Sequence, residues 1–233
     1  MAETAVSRMT DDEITPDLRT EALSNSRLHV IDHPMVQHKL AILRDRETSS
    51  TQFRQLIREI SLFEGYEATR DFPLRQVCVQ TPLAMADCRM ISGKKVAIVP
   101  ILRAGLGMVD GLLELIPAAR VGHVGLYRDP KTHEPHEYYC KLPSDIDQRT
   151  CLVVDPMLAT GGSLVAALGF LRERGARDIR VLCVISAPEG IVRVLDADPD
   201  VHIYTASVDT CLDENAYILP GLGDAGDRIF GTH

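Results

Sequence analysis

The sequence predicts an α/β fold, a parallel sheet with helices on both faces. Two observations carry that reading. From Lys95 onward, continuously apolar runs alternate with stretches whose apolar residues recur at helical spacing. Strands apolar at every position are buried on both sides, as in a parallel sheet covered by helices. In addition, Arg103, Arg128 and Asp155 each fall at or just past the end of such a run. Ligands of parallel sheets collect beyond the strands' carboxyl ends, so one crevice can gather all three.

The elements follow in order. Residues 1 to about 27 are polar, charged and aperiodic, and are expected to form a mobile extension to one domain spanning 28–233. A helix is expected over Met35–Arg46, with Met35, Leu40, Ile42 and Leu43 near one side. A second is expected over Thr51–Phe63, with Phe53, Leu56, Ile57 and Ile60 at helical spacing and Ser49 or Ser50 as its N-cap. Leu74–Gln80 reads as a strand that can continue into a hairpin through Thr81–Met90. Then come a strand in KVAIVPI, a helix over Ala104–Ile116, a strand over Val121–Tyr127 and a strand in CLVVD. A helix over Ser163–Arg174 stops at Gly175, a natural residue just past a helix end. The strand IRVLCVIS, a helix opened by Pro188 in its first turn and the strand VHIYTAS complete the alternation.

Composition narrows the function. The 233 residues suffice for one well-buried domain, and 45 % of them are apolar. No run approaches the roughly 20 apolar residues of a membrane span, and the N-terminal stretch has no apolar centre for a secretory signal. Six cysteines fall singly, without a Cys-x-x-Cys pair, which points to reduced thiols and a cytoplasmic setting. A net charge of −8 argues against nucleic acid as the main partner.

The chemistry concentrates in CLVVDPMLATGGS, residues 151–163. Asp155 closes a strand. Thr160, Gly161, Gly162 and Ser163 then turn into a helix whose free N–H groups face an anion, and glycine lets a phosphate approach closely. A carboxylate before such a turn suits a sugar phosphate, because it can accept hydrogen bonds from vicinal hydroxyls. Arg103, followed by Ala104 and Gly105, offers a planar fork of donors to phosphate oxygens. Asp129–Glu137, with two prolines, fits a mobile flap or a solvated turn. GLGDAG at 221–226 matches the dinucleotide fingerprint, but only seven residues follow it, too few for the helix and strand that motif requires. Pro34 disfavours helix at His33, so His29 and His33 make a poor zinc pair. Lys94 and Lys95 read as a solvated strand start.

The run at 151–163 resembles the phosphoribosyl-diphosphate loop of the type I phosphoribosyltransferases, in the form its uracil-using members carry. VPILRAGLGMVDG (99–111), YILPGLGDAGDRIFGT (217–232), GYEATRD and YRDPKTHEP resemble segments of the same enzymes, and the similarity spans roughly residues 28 to 233. Pro156 stands where the wider family has a second acid, which leaves Asp155 as the one ribose-binding carboxylate of the loop and puts a direct protein–metal bond there in doubt.

The resemblance implies a type I phosphoribosyltransferase-like fold with a C-terminal base-binding segment. It implies transfer of the phosphoribosyl group of 5-phosphoribosyl 1-diphosphate to uracil, giving UMP, with Mg2+ on the diphosphate oxygens. Arg103, Arg128, Asp155 and Asp224 would carry the reaction. The sugar diphosphate would lie on Arg103, Arg128, Asp155, Pro156, Met157, Leu158, Ala159, Thr160, Gly161, Gly162, Ser163 and Asp224. Main-chain groups of Ile218, Gly223 and Ala225 would read the base, with Asp224 beside them, while Tyr217 can stack on it or simply pack. The resemblance also implies a homodimer or higher oligomer, and GTP as an effector in some members. The competing readings are the same chemistry on another base and a non-catalytic regulator that senses the sugar diphosphate and binds nucleic acid.

Overall fold

The computed structural model describes residues 16–93, 95–128 and 135–232. In chain order the elements are α1 (Pro16–Ser24), β1 (Leu28–Val30), α2 (Pro34–Arg44), α3 (Ser50–Ala68), β2 (Leu74–Gln80), β3 (Met85–Ile91), β4 (Lys95–Leu102) and α4 (Leu106–Leu115). There follow β5 (Arg120–Val121), β6 (His123–Arg128), β7 (Pro135–Lys141), β8 (Arg149–Val154), β9 (Met157–Leu158) and α5 (Gly162–Glu173). The last are β10 (Asp178–Ser186), α6 (Pro188–Ala197), β11 (His202–Val208), β12 (Cys211–Leu212), β13 (Ile218–Leu219) and α7 (Ala225–Phe230).

The main sheet runs β1-β11-β10-β8-β4-β6-β7, with β5 beside β4 and β9 beside β10. Every pairing in it is parallel except β6 with β7. Alternate residues feed two cores. Val96, Ile98, Leu152 and Val154 pack under α2, α3, α4 and α7. Ala97, Val99, Cys151 and Val153 pack under α1, α5 and α6. This two-sided burial is why these strands are apolar without alternation.

Most of the expected elements stand where the sequence placed them, and the differences have local causes. Pro34 opens α2 at its first turn, with the His33 side chain accepting from the Met35 N–H at 3.2 Å. The buried face of α2 is Val36, Leu40 and Leu43, and Met35 is 48 % exposed. Ser49 caps α3 by accepting from the Gln52 N–H at 3.3 Å, and that helix runs on to Ala68. The strand expected over Val121–Tyr127 is interrupted at Gly122, whose N–H donates to Ile98 O at 2.9 Å. The last part of the expected extension packs on the domain: Ala22 of α1 is buried against the α6 side, and Arg27 donates to the carbonyls of Leu195 and Asp198 at 3.0 Å each. Residues 1–15 of that extension lie outside the described residues.

Two features stand apart from this economy. The β2–β3 hairpin is a sheet of its own, with Leu74, Leu83, Met85, Met90 and Ile91 all exposed. Glu64, on the sheet-facing side of α3, is fully buried and neither carboxyl oxygen has a hydrogen-bond partner among the described residues. Burial pushes its carboxyl far above the usual range.

Candidate active site

The crevice lies at the carboxyl ends of β4, β8 and β10. β8 ends at Val154, and the chain then continues along β10 rather than leaving the sheet. The Asp155 N–H donates to Leu182 O at 3.2 Å, and Pro156 O accepts from Val184 and Ile185 at 3.0 and 3.1 Å. Met157 and Leu158, as β9, pair with Ile185 and Ser186. The loop is therefore a fixed shelf. At its end Gly161 takes φ +75°, a conformation that disfavours side chains, and an added Cβ would lie 2.9 Å from Gly190 O. α5 starts at once, so the amides of its first turn open onto a cavity lined by Asp155, Met157–Leu164 and Cys183.

Asp155 is the charged group of this cavity. Burial raises its carboxyl to about 7; the Met157 N–H, 3.4 Å away, opposes the shift, and the charge of Asp224 adds to it. Asp224 is thus close enough for its charge to be felt at Asp155. Asp224 also caps α7, accepting from the Asp227 N–H at 2.9 Å.

The β4–α4 turn forms the next wall. Gly105 packs against Val154 O and Ile101 with no room for a side chain. Arg103 is exposed, its guanidinium 5.7 Å from the centre of the Phe230 ring. An added Cβ on Gly226 would lie 3.9 Å from Ala104 Cβ, so the start of α7 adjoins this turn. Arg128 ends β6, but its side chain lies outside the described residues, as do residues 129–134 of the expected flap. Pro135, His136 and Glu137, the end of that expected segment, belong to β7, paired with Arg128, Tyr127 and Leu126.

The C-terminal segment closes the crevice. Ile218 is buried in β13, the Leu219–Pro220 peptide is cis, and Gly221 and Gly223 take φ +64° and +78°. Ala225 is buried at the start of α7. Tyr217, next to Ile218, is half-exposed. The structure thus joins the 155–163 shelf, the Arg103 turn and the 218–225 segment. It also shows supports that the sequence reading did not find. Arg44 from α2 and Asp209 after β11 hold Gly221, and Arg228 donates to Leu222 O at 2.8 Å. No spacing links these residues; only the fold brings them together.

Among the described residues no group of three or more His, Cys, Asp or Glu could hold a metal ion. The six cysteines are free thiols. No described helix is long and apolar enough to cross a membrane.

A family profile described as uracil phosphoribosyltransferase matches residues 30–232. A protein of that name from Alkaliphilus oremlandii is 59 % identical over 207 residues, covering 89 % of this chain and 99 % of that one. Another of that name, from a Thermoanaerobacter species, is 61 % identical over 203 residues, covering 87 % and 97 %. A solved structure from Aquifex aeolicus, 35 % identical, matches with a TM-score of 0.82 over 88 % of this chain and 98 % of that chain.

Proposed function

The chain belongs to the uracil phosphoribosyltransferase family, and from that membership we propose which of its residues perform each part of the reaction. The enzyme transfers the 5-phosphoribosyl group of 5-phosphoribosyl 1-diphosphate to uracil, yielding UMP and diphosphate, a pentosyl transfer of pyrimidine salvage. The C1–O bond breaks, the bond from C1 to uracil N1 forms, and the proton of N1 departs.

The 5-phosphate rests on the amides and hydroxyls of Thr160–Ser163, with Pro156–Ala159 as the floor. Asp155 accepts hydrogen bonds from the ribose hydroxyls. Arg103 and Arg128 take the leaving diphosphate, whose growing negative charge they meet with fixed positive charge. Main-chain groups of Ile218, Gly223 and Ala225 face the edge of uracil, and Asp224 faces the sugar side. Catalysis on this reading is positioning and electrostatics rather than covalent chemistry. The observation that carries it is the convergence of the shelf, the Arg103 turn and the 218–225 segment on one crevice, where the start of α7 adjoins Ala104 and Arg103 overlies Phe230.

The crevice offers two carboxylates, Asp155 and Asp224, which fits Mg2+ that would be held mostly by substrate oxygens and water, with these two acids helping to hold it. When bound, it would neutralise charge on the departing diphosphate. The exposed β2–β3 hairpin supports a homodimer, since a two-stranded hairpin is marginal alone and its apolar side chains need cover. Six free thiols suit a reducing compartment, the cytoplasm.

The test is UMP formation with Mg2+ and 5-phosphoribosyl 1-diphosphate, comparing kcat/KM for uracil, cytosine and hypoxanthine. Cytosine's 4-amino group donates where uracil's O4 accepts, so a backbone N–H would be left unpaired, at a cost of about 1–3 kcal/mol. Hypoxanthine is too large. Use of either as readily as uracil would overturn the assignment of the base segment.

A further inference from the structure

We propose that Glu189 is a positioning residue for uracil, fixing the β12–β13 hairpin and with it the main chain that meets the base. The proposal rests on the reading that Ile218, Gly223 and Ala225 take uracil.

The hairpin is short. β12 and β13 have two residues each, and Thr210 N–H to Leu219 O and Asp213 N–H to Tyr217 O, both 2.8 Å, tie them together. Both bonds lie on the edge of β12 that faces β13. The Leu212 N–H, one residue before Asp213, points to the opposite edge from the Asp213 N–H, as successive amides of a strand do. There it donates to Glu189 Oε1 at 3.0 Å. Leu212 stands opposite Ile218 in the pairing, so a shift of β12 moves Ile218 and the chain that leads to Gly223.

Glu189 is well placed to set that position because its own helix is packed into the core. α6 buries Pro188, Gly190, Ile191, Val194 and Leu195. The next residue, Gly190, packs against Ala159 O so closely that a side chain there would overlap it, and Gly161 lies against it from the other side. One helical turn therefore touches both halves of the crevice: Gly190 seats the phosphate shelf, and Glu189 holds the base segment in register with it.

The chemistry of the contact points the same way. Glu189 Oε2 is buried with no hydrogen-bond partner among the described residues. A carboxylate half satisfied in this way is a costly filler, and an apolar residue of similar size would pack at less expense. The bond to Leu212 is the use to which the side chain is put.

The test measures KM for each substrate, kcat and thermal midpoint on the full chain for Glu189→Gln, Glu189→Asp, Glu189→Met and Gly223→Val. Gln keeps an acceptor at the same reach, and should leave both KM values within about twofold of the parent. Asp is too short to reach Leu212 and Met has no acceptor. Each should raise KM for uracil by about tenfold, the scale of one lost charge-assisted hydrogen bond, while KM for 5-phosphoribosyl 1-diphosphate stays within about twofold. If Met does not fold, Asp carries the comparison. An unchanged uracil KM in Asp and Met, a parallel rise in both KM values, or a Gln variant as poor as Met would each overturn the proposal. Gly223→Val separates the two claims. If it cripples uracil use while the Glu189 variants do not, the role of Glu189 alone fails; if it leaves uracil KM unchanged, the base-segment reading fails and takes the proposal with it.

Discussion

Arg44 grips Asp209 with both arms of its guanidinium, Nη2 to Oδ1 at 2.5 Å and Nη1 to Oδ2 at 2.7 Å, and the pair closes on Gly221. Arg44 donates to Gly221 O at 2.6 Å, and Asp209 accepts from the Gly221 N–H at 2.9 Å. Both main-chain polar groups of one residue in the base segment are thereby anchored to α2 and to the end of β11. Burial pushes the Asp209 carboxyl up, but the hydrogen bonds from Arg44 and Ser207 outweigh it and hold the carboxyl below its ordinary value.

Asp209→Asn should therefore cost about 3 kcal/mol of stability, because it leaves a partly buried guanidinium without its counter-charge. It should also raise KM for uracil by loosening Gly221. The pH dependence has a defined sign. A lowered native pKa gives stability that is present above the unfolded carboxyl's pKa of about 3.9 and is lost as pH falls through the native one. Urea midpoints from pH 3 to 7 should show the difference between parent and variant shrinking at the acid end. A variant as stable as the parent at pH 7 would remove the pair from the scaffold.

Asp155 should leave its mark on the pH profile of activity. With its carboxyl raised to about 7 by burial, the free enzyme becomes protonated there below neutrality and loses its charged acceptor. The value of kcat/KM for 5-phosphoribosyl 1-diphosphate reports the free enzyme, and it should fall as pH drops below about 7. Asp155→Asn should be slower at all pH values, with only the ionisation of the substrate remaining in its profile. Identical profiles in the two proteins would take Asp155 out of the site.

Arg103→Ala should weaken the sugar diphosphate more than uracil. Loss of a charge-assisted contact costs about 1.5–3 kcal/mol, roughly tenfold to a hundredfold in affinity. Because Arg103 is exposed and its guanidinium overlies the Phe230 ring at the surface, the thermal midpoint should hardly move. Equal losses for both substrates would assign the arginine to structure.

Glu64→Leu should stabilise the fold. Burial raises its native carboxyl far above the unfolded value of about 4.3. The contribution of this group is thus fully favourable below that unfolded pKa and is lost as pH rises towards the native one. The variant should gain about 1–3 kcal/mol at neutral pH, with a smaller gain at pH 4. Denaturant midpoints at pH 4 and 8 would check this, and a variant less stable at both would show that Glu64 has a partner.

Dimerisation should depend on the hairpin. Sedimentation at micromolar concentration should give a species near twice the 25.7 kDa chain mass, and Ile91→Asp should shift it towards the monomer. A parent that stays monomeric with full activity would refute the role of β2 and β3.

The fold was legible because its information is local. Apolar runs such as Val96–Ile101 and Cys151–Val154 are buried on both faces, and glycine and proline punctuate the connections. The 155–163 shelf was legible for the same reason, since Asp155 to Ser163 are contiguous in the chain. The supports of the base segment were not. Arg44 sits 165 residues from Asp209, and nothing around a basic residue in the last turn of α2 announces that partner. Glu189 reads as an ordinary first-turn acid, favourable near a helix N-terminus, until β12 is laid beside it. The burial of Met35 was misread because Val36, not its neighbour, continues the stripe of Leu40 and Leu43.

The pairing of β1 with β11 sets an order of assembly. Leu28, His29 and Val30 take Ile203, Tyr204 and Thr205 as partners, and Arg44 takes Asp209 and Gly221. A chain leaving the ribosome therefore exposes its first strand and second helix long before their partners emerge. The central strands β4 and β8, with α4 between them in the chain, can pair early. Contacts that span most of the sequence form late, since the loop they close must be ordered first. The turn at Gly221 consequently orders only after Arg44 and Asp209 have met, so the segment on the far side of the crevice is set later than the central strands that carry the 155–163 shelf.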